Sequence, residues 1–172
     1  MAHLVVITGP IASGKSTVAD RLAEHVRATG GSAVAVDLDD VVATLRAPAS
    51  DFEQSSRRAR AVHGALVAAW LHAGVDVVIA HGPFAAPEEV AALVDRVPPT
   101  VIPRWALLTA PYPVALERVT GDPRRVLSRD PDFLRYTHER FRSLLPDLPA
   151  CEWTFDTTAM SADDIVQVLA HL

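Results

Sequence analysis

Gly9-Pro10-Ile11-Ala12-Ser13-Gly14-Lys15-Ser16 reads G-x-x-x-x-G-K-S, a spacing suited to holding phosphate. The two glycines let backbone N–H groups turn inward around phosphate oxygens. The lysine ammonium reaches the β- and γ-phosphates of a nucleotide, and the Ser16 hydroxyl is placed to bind Mg²⁺. Gly9, Ala12, Ser13, Gly14, Lys15, Ser16 and Thr17 are therefore the expected ATP-binding set, with Ser16 as the metal ligand. Lys15 is the only lysine in the chain, and the fifteen other strong cations are arginine.

A phosphate loop does not say what happens to the phosphate. Asp37, Asp39 and Asp40 bear on that. Transfer to an alcohol needs a carboxylate that orients the hydroxyl and takes its proton, and a second acid helps to hold the metal. Asp37 is expected to be the base. Asp39 is the other candidate and the expected acceptor contact, and capping of a helix accounts equally for Asp39 or Asp40. A second group is Arg118, Arg124, Arg125 and Arg129, four arginines within twelve residues, bracketed by Gly121, Pro123 and Pro131. Such a loop suits a lid, about residues 121–131, whose guanidinium groups neutralise a transferring phosphoryl group. Arg118 is expected on the nucleotide, and Arg124 and Arg129 on the reacting phosphate. On the acceptor side, Arg57, His81 and Gly82 are the expected contacts, with Arg58, Arg60 and Phe84 nearby. A solvated helix face explains the arginines of that group as well. The remaining histidines have no metal-ligand spacing.

The elements that must position these residues alternate. His3–Thr8 is apolar and β-branched, as a buried strand requires. Val18, Leu22 and Val26 then recur at helical spacing until Gly30-Gly31. A second strand, Ser32–Asp37, ends in the aspartates. A short helix carries Val41, Val42 and Leu45, and Ala47-Pro48-Ala49 breaks it. Ser50-Asp51-Phe52-Glu53 has the spacing of a capping box, and the long helix after it carries Val62, Leu66 and Trp70 on one stripe. Val75–Ala80 is the third strand, and Pro87–Arg96 a helix with Val90, Leu93 and Val94 inward. Val101–Thr109 is the fourth strand, with Pro103 near its start. Pro113–Thr120 is a short helix. Asp130-Pro131 starts another, which runs to about Leu145. Glu152–Asp156 is the last strand, and Ser161 caps a final helix with Ile165, Val168, Leu169 and Leu172 inward. Strand and helix in alternation predict an α/β fold of three layers around a five-stranded parallel sheet. Ligands bind such sheets at the carboxyl ends of the strands. The phosphate loop, Asp37–Asp40, His81-Gly82 and Asp156-Thr157 all fall there.

The 172 residues make a single domain, 1–172, large enough for a real core. Hydrophobic residues are 49% of the chain and the net charge is −5, values that fit a globular protein and argue against nucleic-acid binding. One cysteine, Cys151, excludes an internal disulfide and a multi-cysteine zinc site. No run has membrane-spanning length, and a cytoplasmic location is expected. Oligomeric state is not legible.

With these motifs the chain resembles the small P-loop kinases: shikimate kinase, gluconate kinase, adenylate kinase, the chloramphenicol phosphotransferases and the zeta-toxin kinases. The Val36-Asp37 strand end looks like the place where chloramphenicol phosphotransferases carry their proposed base. Asp37-Leu38-Asp39 is similar to the D-x-D of shikimate kinase, whose first acid lies near Mg²⁺ and whose second contacts the substrate. The two comparisons leave Asp37 and Asp39 both open as base. Arg118 with Arg124, Arg125 and Arg129 looks like the lid arginines, and Phe155-Asp156-Thr157-Thr158 like the segment beside adenine. His81-Gly82-Pro83 stands where shikimate kinases have a glycine triplet, which argues against shikimate as acceptor. The resemblance implies a kinase using ATP and Mg²⁺ on the hydroxyl of a metabolite, a sugar acid or an antibiotic. A nucleotide or nucleoside kinase, or a partner-controlled ATPase switch, are the alternatives.

Overall fold

The computed structural model describes residues 2–46, 51–122 and 127–171. Five strands, β1 (His3–Thr8), β2 (Ala33–Asp37), β3 (Val77–His81), β4 (Pro103–Thr109) and β5 (Trp153–Asp156), form one parallel sheet in the order β2-β3-β1-β4-β5. The helices are α1 (Lys15–Ala28), α2 (Leu38–Thr44), α3 (Phe52–His72), α4 (Pro87–Val94), α5 (Tyr112–Thr120), α6 (Pro131–Leu144) and α7 (Ala162–Leu169). This is the α/β arrangement that the alternation of elements predicts.

The period-two pleat divides the core. Val5 and Ile7 of β1 face α1 and α7, together with Val77, Ile79, Ala106, Leu108 and Phe155. Leu4 and Val6 face the opposite way, with Val78, Ala80 and Trp105, against α2, α3 and α4. β1 is fully buried from Leu4 to Ile7, and each such side chain contributes about 1.5–3 kcal/mol by leaving water. A third, smaller cluster joins Ile11 and Ala12 of the phosphate loop to Ala115, Val119 and Leu134 of α5 and α6. The loop tip is therefore seated on an apolar bed rather than suspended in solvent.

Three expectations are corrected. Val168 of α7 lies outward at 37% exposure, and Val166 packs inward with Ile165 and Leu169 in its place. Strand β3 begins at Val77, because the Asp76 carboxylate is occupied by the backbone N–H and hydroxyl of Ser32, at 2.8 and 2.6 Å. The stripe Val62, Leu66 and Trp70 lies outward on α3, at 52%, 41% and 43% exposure. The inward face is the neighbouring row Ala59, His63, Val67 and Leu71. That face is small because α3 runs close to α4. A Cβ added to Gly64 would stand 2.1 Å from the carbonyl oxygen of Ala92. Alanine gains about 1 kcal/mol over glycine in a helix interior, but overpacking against backbone costs about 1–3 kcal/mol or more. Gly64→Ala is expected to lower the melting temperature; an unchanged or raised one would mean that the two helices separate easily. The proposed cap Ser50, the break at Ala47-Pro48-Ala49 and the inward Leu172 lie outside the described residues. No helix among the described residues is long and apolar enough to cross a membrane.

Candidate active site

The register brings the chemistry together. Asp37 of β2 pairs with His81 of β3, and His81 pairs with Ile7 of β1, just before the phosphate loop. Gly9 and Gly14 have φ of +151° and +93°, the region that only glycine enters freely. A Cβ on Gly9 would also meet the Leu108 carbonyl oxygen at 2.2 Å and Ser13 Oγ at 2.7 Å. Gly14 precedes α1, so the loop delivers its N–H groups at a helix N-terminus, where an anion is favoured. Lys15 Nζ donates to the carbonyls of Gly9 and Pro10, at 3.0 and 2.8 Å, which keeps the ammonium over the loop. Ser13 Oγ is buried without a partner among the described residues.

Ser16 is exposed, and its hydroxyl donates to Asp37 Oδ2 at 3.2 Å. Asp37 Oδ1 accepts the Asp39 N–H at 2.8 Å and thereby caps α2. Burial raises the Asp37 pKa above the ordinary aspartate value and Asp40 adds to this, while the Asp39 N–H, Lys15 and Ser16 oppose it. The set of a hydroxyl and one carboxylate fits Mg²⁺, a hard ion that prefers oxygen and takes most of its ligands from phosphate and water. No cluster of three or more metal-binding side chains exists among the described residues.

His81 is 3% exposed, and its pKa is lowered to about 4, mainly by burial and then by Lys15. It is uncharged at neutral pH, so the 3.6 Å approach of Nδ1 to Asp37 Oδ2 is not an ion pair. Gly82 is buried, and a Cβ there would stand 2.9 Å from the Phe84 ring and 3.0 Å from Leu38. Its place in the fold is accounted for by that packing. Asp39 is exposed in the first turn of α2.

The arginines divide. Arg118 donates to the carbonyl of Ala12 at 2.9 Å and to the hydroxyl and carbonyl of Thr157, each at 3.0 Å. It thus joins the phosphate loop to the segment after β5. Arg118, Gly14, Thr17, Thr157, Met160 and Ile165 help to line a cavity of about 300 Å³. Arg129 is exposed just before α6. Arg124 and Arg125 lie outside the described residues. Arg57 is exposed on α3, whereas Arg60 turns inward to Glu89 Oε1 at 2.8 Å.

Glu89 was not singled out by the sequence, nor was its second partner. Its side chain is 1% exposed, and Oε1 also accepts from Arg140 of α6 at 2.9 Å. Oε2 accepts the N–H groups of Ala85 and Ala86, at 2.9 and 3.1 Å. Glu89 is the third residue of α4 after Pro87 at the first, and a glutamate there characteristically reaches back to the free N–H groups. That half of the contact had a local signal. The arginines had none. His63 was also missed. It is fully buried one turn after Arg60, and its Nε2–H donates to Val36 at 2.8 Å. Helix α3, which carries Arg60, is thereby tied to the strand that ends in Asp37.

A family model described as AAA domain matches residues 4–134. The chain belongs to this AAA domain family. Among solved structures, it is similar to a candidate kinase from Chloroflexus aurantiacus, at 20% identity and TM-score 0.74, covering 99% of this chain and 97% of that one. Shikimate kinase from Bacteroides thetaiotaomicron matches at 16% identity and TM-score 0.69, covering 98% and 97%. Shikimate kinase from Acinetobacter baumannii, in complex with shikimate, matches at 21% and 0.64, covering 98% and 91%. The fold of this AAA domain chain is that of the small P-loop kinases. No curated protein matches it.

Proposed function

We propose that the chain is an ATP-dependent phosphotransferase that moves the γ-phosphoryl group to a hydroxyl of a small molecule. The observation that carries this reading is Asp37, a partly buried carboxylate of raised pKa, hydrogen-bonded to the hydroxyl of the phosphate loop at 3.2 Å. Phosphoryl transfer to an alcohol needs a carboxylate near the γ-phosphate that takes the acceptor's proton.

In the proposed reaction, the acceptor oxygen attacks the γ-phosphorus as its proton passes to Asp37. The bond from that phosphorus to the bridging oxygen breaks, and ADP leaves. Lys15 and the loop N–H groups hold the phosphates, with Arg118 keeping the nucleotide end of the loop in place. Arg124 and Arg129 neutralise the transferring group. Ser16 would hold Mg²⁺, which would supply charge neutralisation on the nucleotide phosphates. His81 and Asp39 border the acceptor. The acceptor itself is read as acidic, carrying a carboxylate or phosphate. One buried carboxylate against the two guanidiniums of Arg60 and Arg140 leaves surplus positive charge, and planar guanidinium groups suit such anions.

The test is ADP release from ATP–Mg²⁺ with pooled neutral and acidic hydroxylated metabolites, nucleosides and antibiotics. An acidic pool that raises turnover and yields a product one phosphoryl group heavier is expected. Slow hydrolysis that no pool changes would favour a partner-controlled ATPase. The Ser16 contact favours one second reading, in which Asp37 holds a water of the metal and Asp39 is the base. Under it, Asp37→Asn raises the Mg²⁺ concentration needed for half-maximal rate, and Asp39→Asn abolishes transfer. Under the reading proposed here, Asp37→Asn loses transfer even at saturating Mg²⁺, and Asp39→Asn keeps it.

A further inference from the structure

We infer that His138 is a positioning residue of the phosphate loop, fixing its tip from α6 so that the loop N–H groups face the phosphates; this rests on the reading of Gly9–Ser16 as the nucleotide site. The His138 ring is 6% exposed. Its Nε2 lies 2.9 Å from the carbonyl oxygen of Ile11, 127 residues away in sequence. A carbonyl only accepts, so Nε2 carries the proton. Tyr112 of α5 meets the ring edge-on at 5.9 Å, and the Tyr112 hydroxyl donates to the Pro131 carbonyl at 3.2 Å. The imidazole therefore has little freedom. Burial, then Lys15 and Arg142, lower its pKa, and the neutral ring still donates from Nε2.

The next carbonyl, that of Ala12, is held by Arg118 from α5 at 2.9 Å. Two successive peptide planes at the tip are thus gripped by their oxygens. In a trans peptide the C=O and N–H point in opposite directions. Gripping Ile11 and Ala12 oxygens from the helix side turns the N–H groups of Ala12 and Ser13 toward the inside of the loop. The Ser13 N–H accordingly donates across the loop to the Pro10 carbonyl, at 3.3 Å. The grip is needed because Ala12 has φ of +60°, a region an alanine seldom occupies unaided. Ile11 and Ala12 are also packed on Ala115, Val119 and Leu134 of the same two helices. These are the helices that flank the arginine segment. The phosphate loop and the two helices on either side of that segment are therefore fastened directly to each other.

The test uses ADP–Mg²⁺ by titration calorimetry and adenosine by ligand-observed NMR, on the full chain. His138→Phe keeps the ring and removes the donor. It is expected to weaken ADP about tenfold and to leave adenosine binding unchanged, since adenosine carries no phosphate. His138→Gln places an N–H at similar reach and should bind ADP within about threefold of the parent. Parent-like ADP affinity in His138→Phe overturns the inference, as does an equal loss of ADP and adenosine. If His138→Phe does not fold, His138→Asn, too short to reach Ile11, is measured against the same two outcomes. A parent chain that fails to bind ADP overturns the nucleotide reading of the loop and this inference with it.

Discussion

Asp37→Asn is expected to lower phosphoryl transfer by about 10²–10⁴-fold, the usual contribution of a positioned base, while ADP affinity stays near that of the parent. The amide keeps both contacts of the native side chain. Its oxygen accepts the Asp39 N–H that caps α2, and its NH₂ faces Ser16 Oγ. Fold and loop should survive, so the loss reports chemistry. The parent's pH profile gives an independent measurement. A base works only when ionised, so the rate should fall as pH drops through the Asp37 pKa. Burial raises that pKa, so the fall begins at higher pH than for a water-exposed aspartate. Asp37→Asn should lack this acid limb. Full turnover by the variant would remove Asp37 as the base.

Glu89→Gln should be the most destabilising isosteric change described here, by about 3 kcal/mol. Breaking a buried ion pair costs about 3–5 kcal/mol, and the lower end applies because water screens Arg140, whose side chain is 38% exposed. The geometry leaves an amide no good orientation. All four groups around the carboxylate are donors: two guanidiniums on one oxygen and two backbone N–H groups on the other. Whichever way the glutamine turns, its NH₂ meets donors. For a chain of this size the midpoint of thermal unfolding should fall by roughly 6–12 °C. A midpoint within a degree or two of the parent would mean that the cluster relaxes around the change.

Parts of this site are legible because their signals are local. The phosphate loop is eight consecutive residues. Asp130-Pro131 and Ser161 announce α6 and α7, and the structure has Asp130 accepting from Asp132 N–H and Ser161 from Asp164 N–H. The alternation of strands and helices is enough for the sheet and for which loops share its edge. The arginine–glutamate cluster is not legible, since Arg60, Glu89 and Arg140 meet across three helices and no spacing joins them. His138 is hidden for the same reason. It sits on a helix face like any amphipathic residue until its partner, the Ile11 carbonyl, is located. The inward face of α3 is not legible from periodicity, which weighs bulk. Val62, Leu66 and Trp70 form the larger stripe, but a close approach of α3 to α4 selects the row with alanine and histidine, next to Gly64.

The lone ammonium of Lys15, folded over the carbonyls of Gly9 and Pro10, makes this chain unusually simple to footprint. Guanidinium groups do not acylate under conditions that modify amines. Apart from a chain-terminal amine, a hydroxylamine-stable amide adduct can form at one side chain, and it lies in the proposed nucleotide site. Counting adducts by mass therefore reads occupancy of that site directly, without a radiolabel, a fluorophore or knowledge of the acceptor.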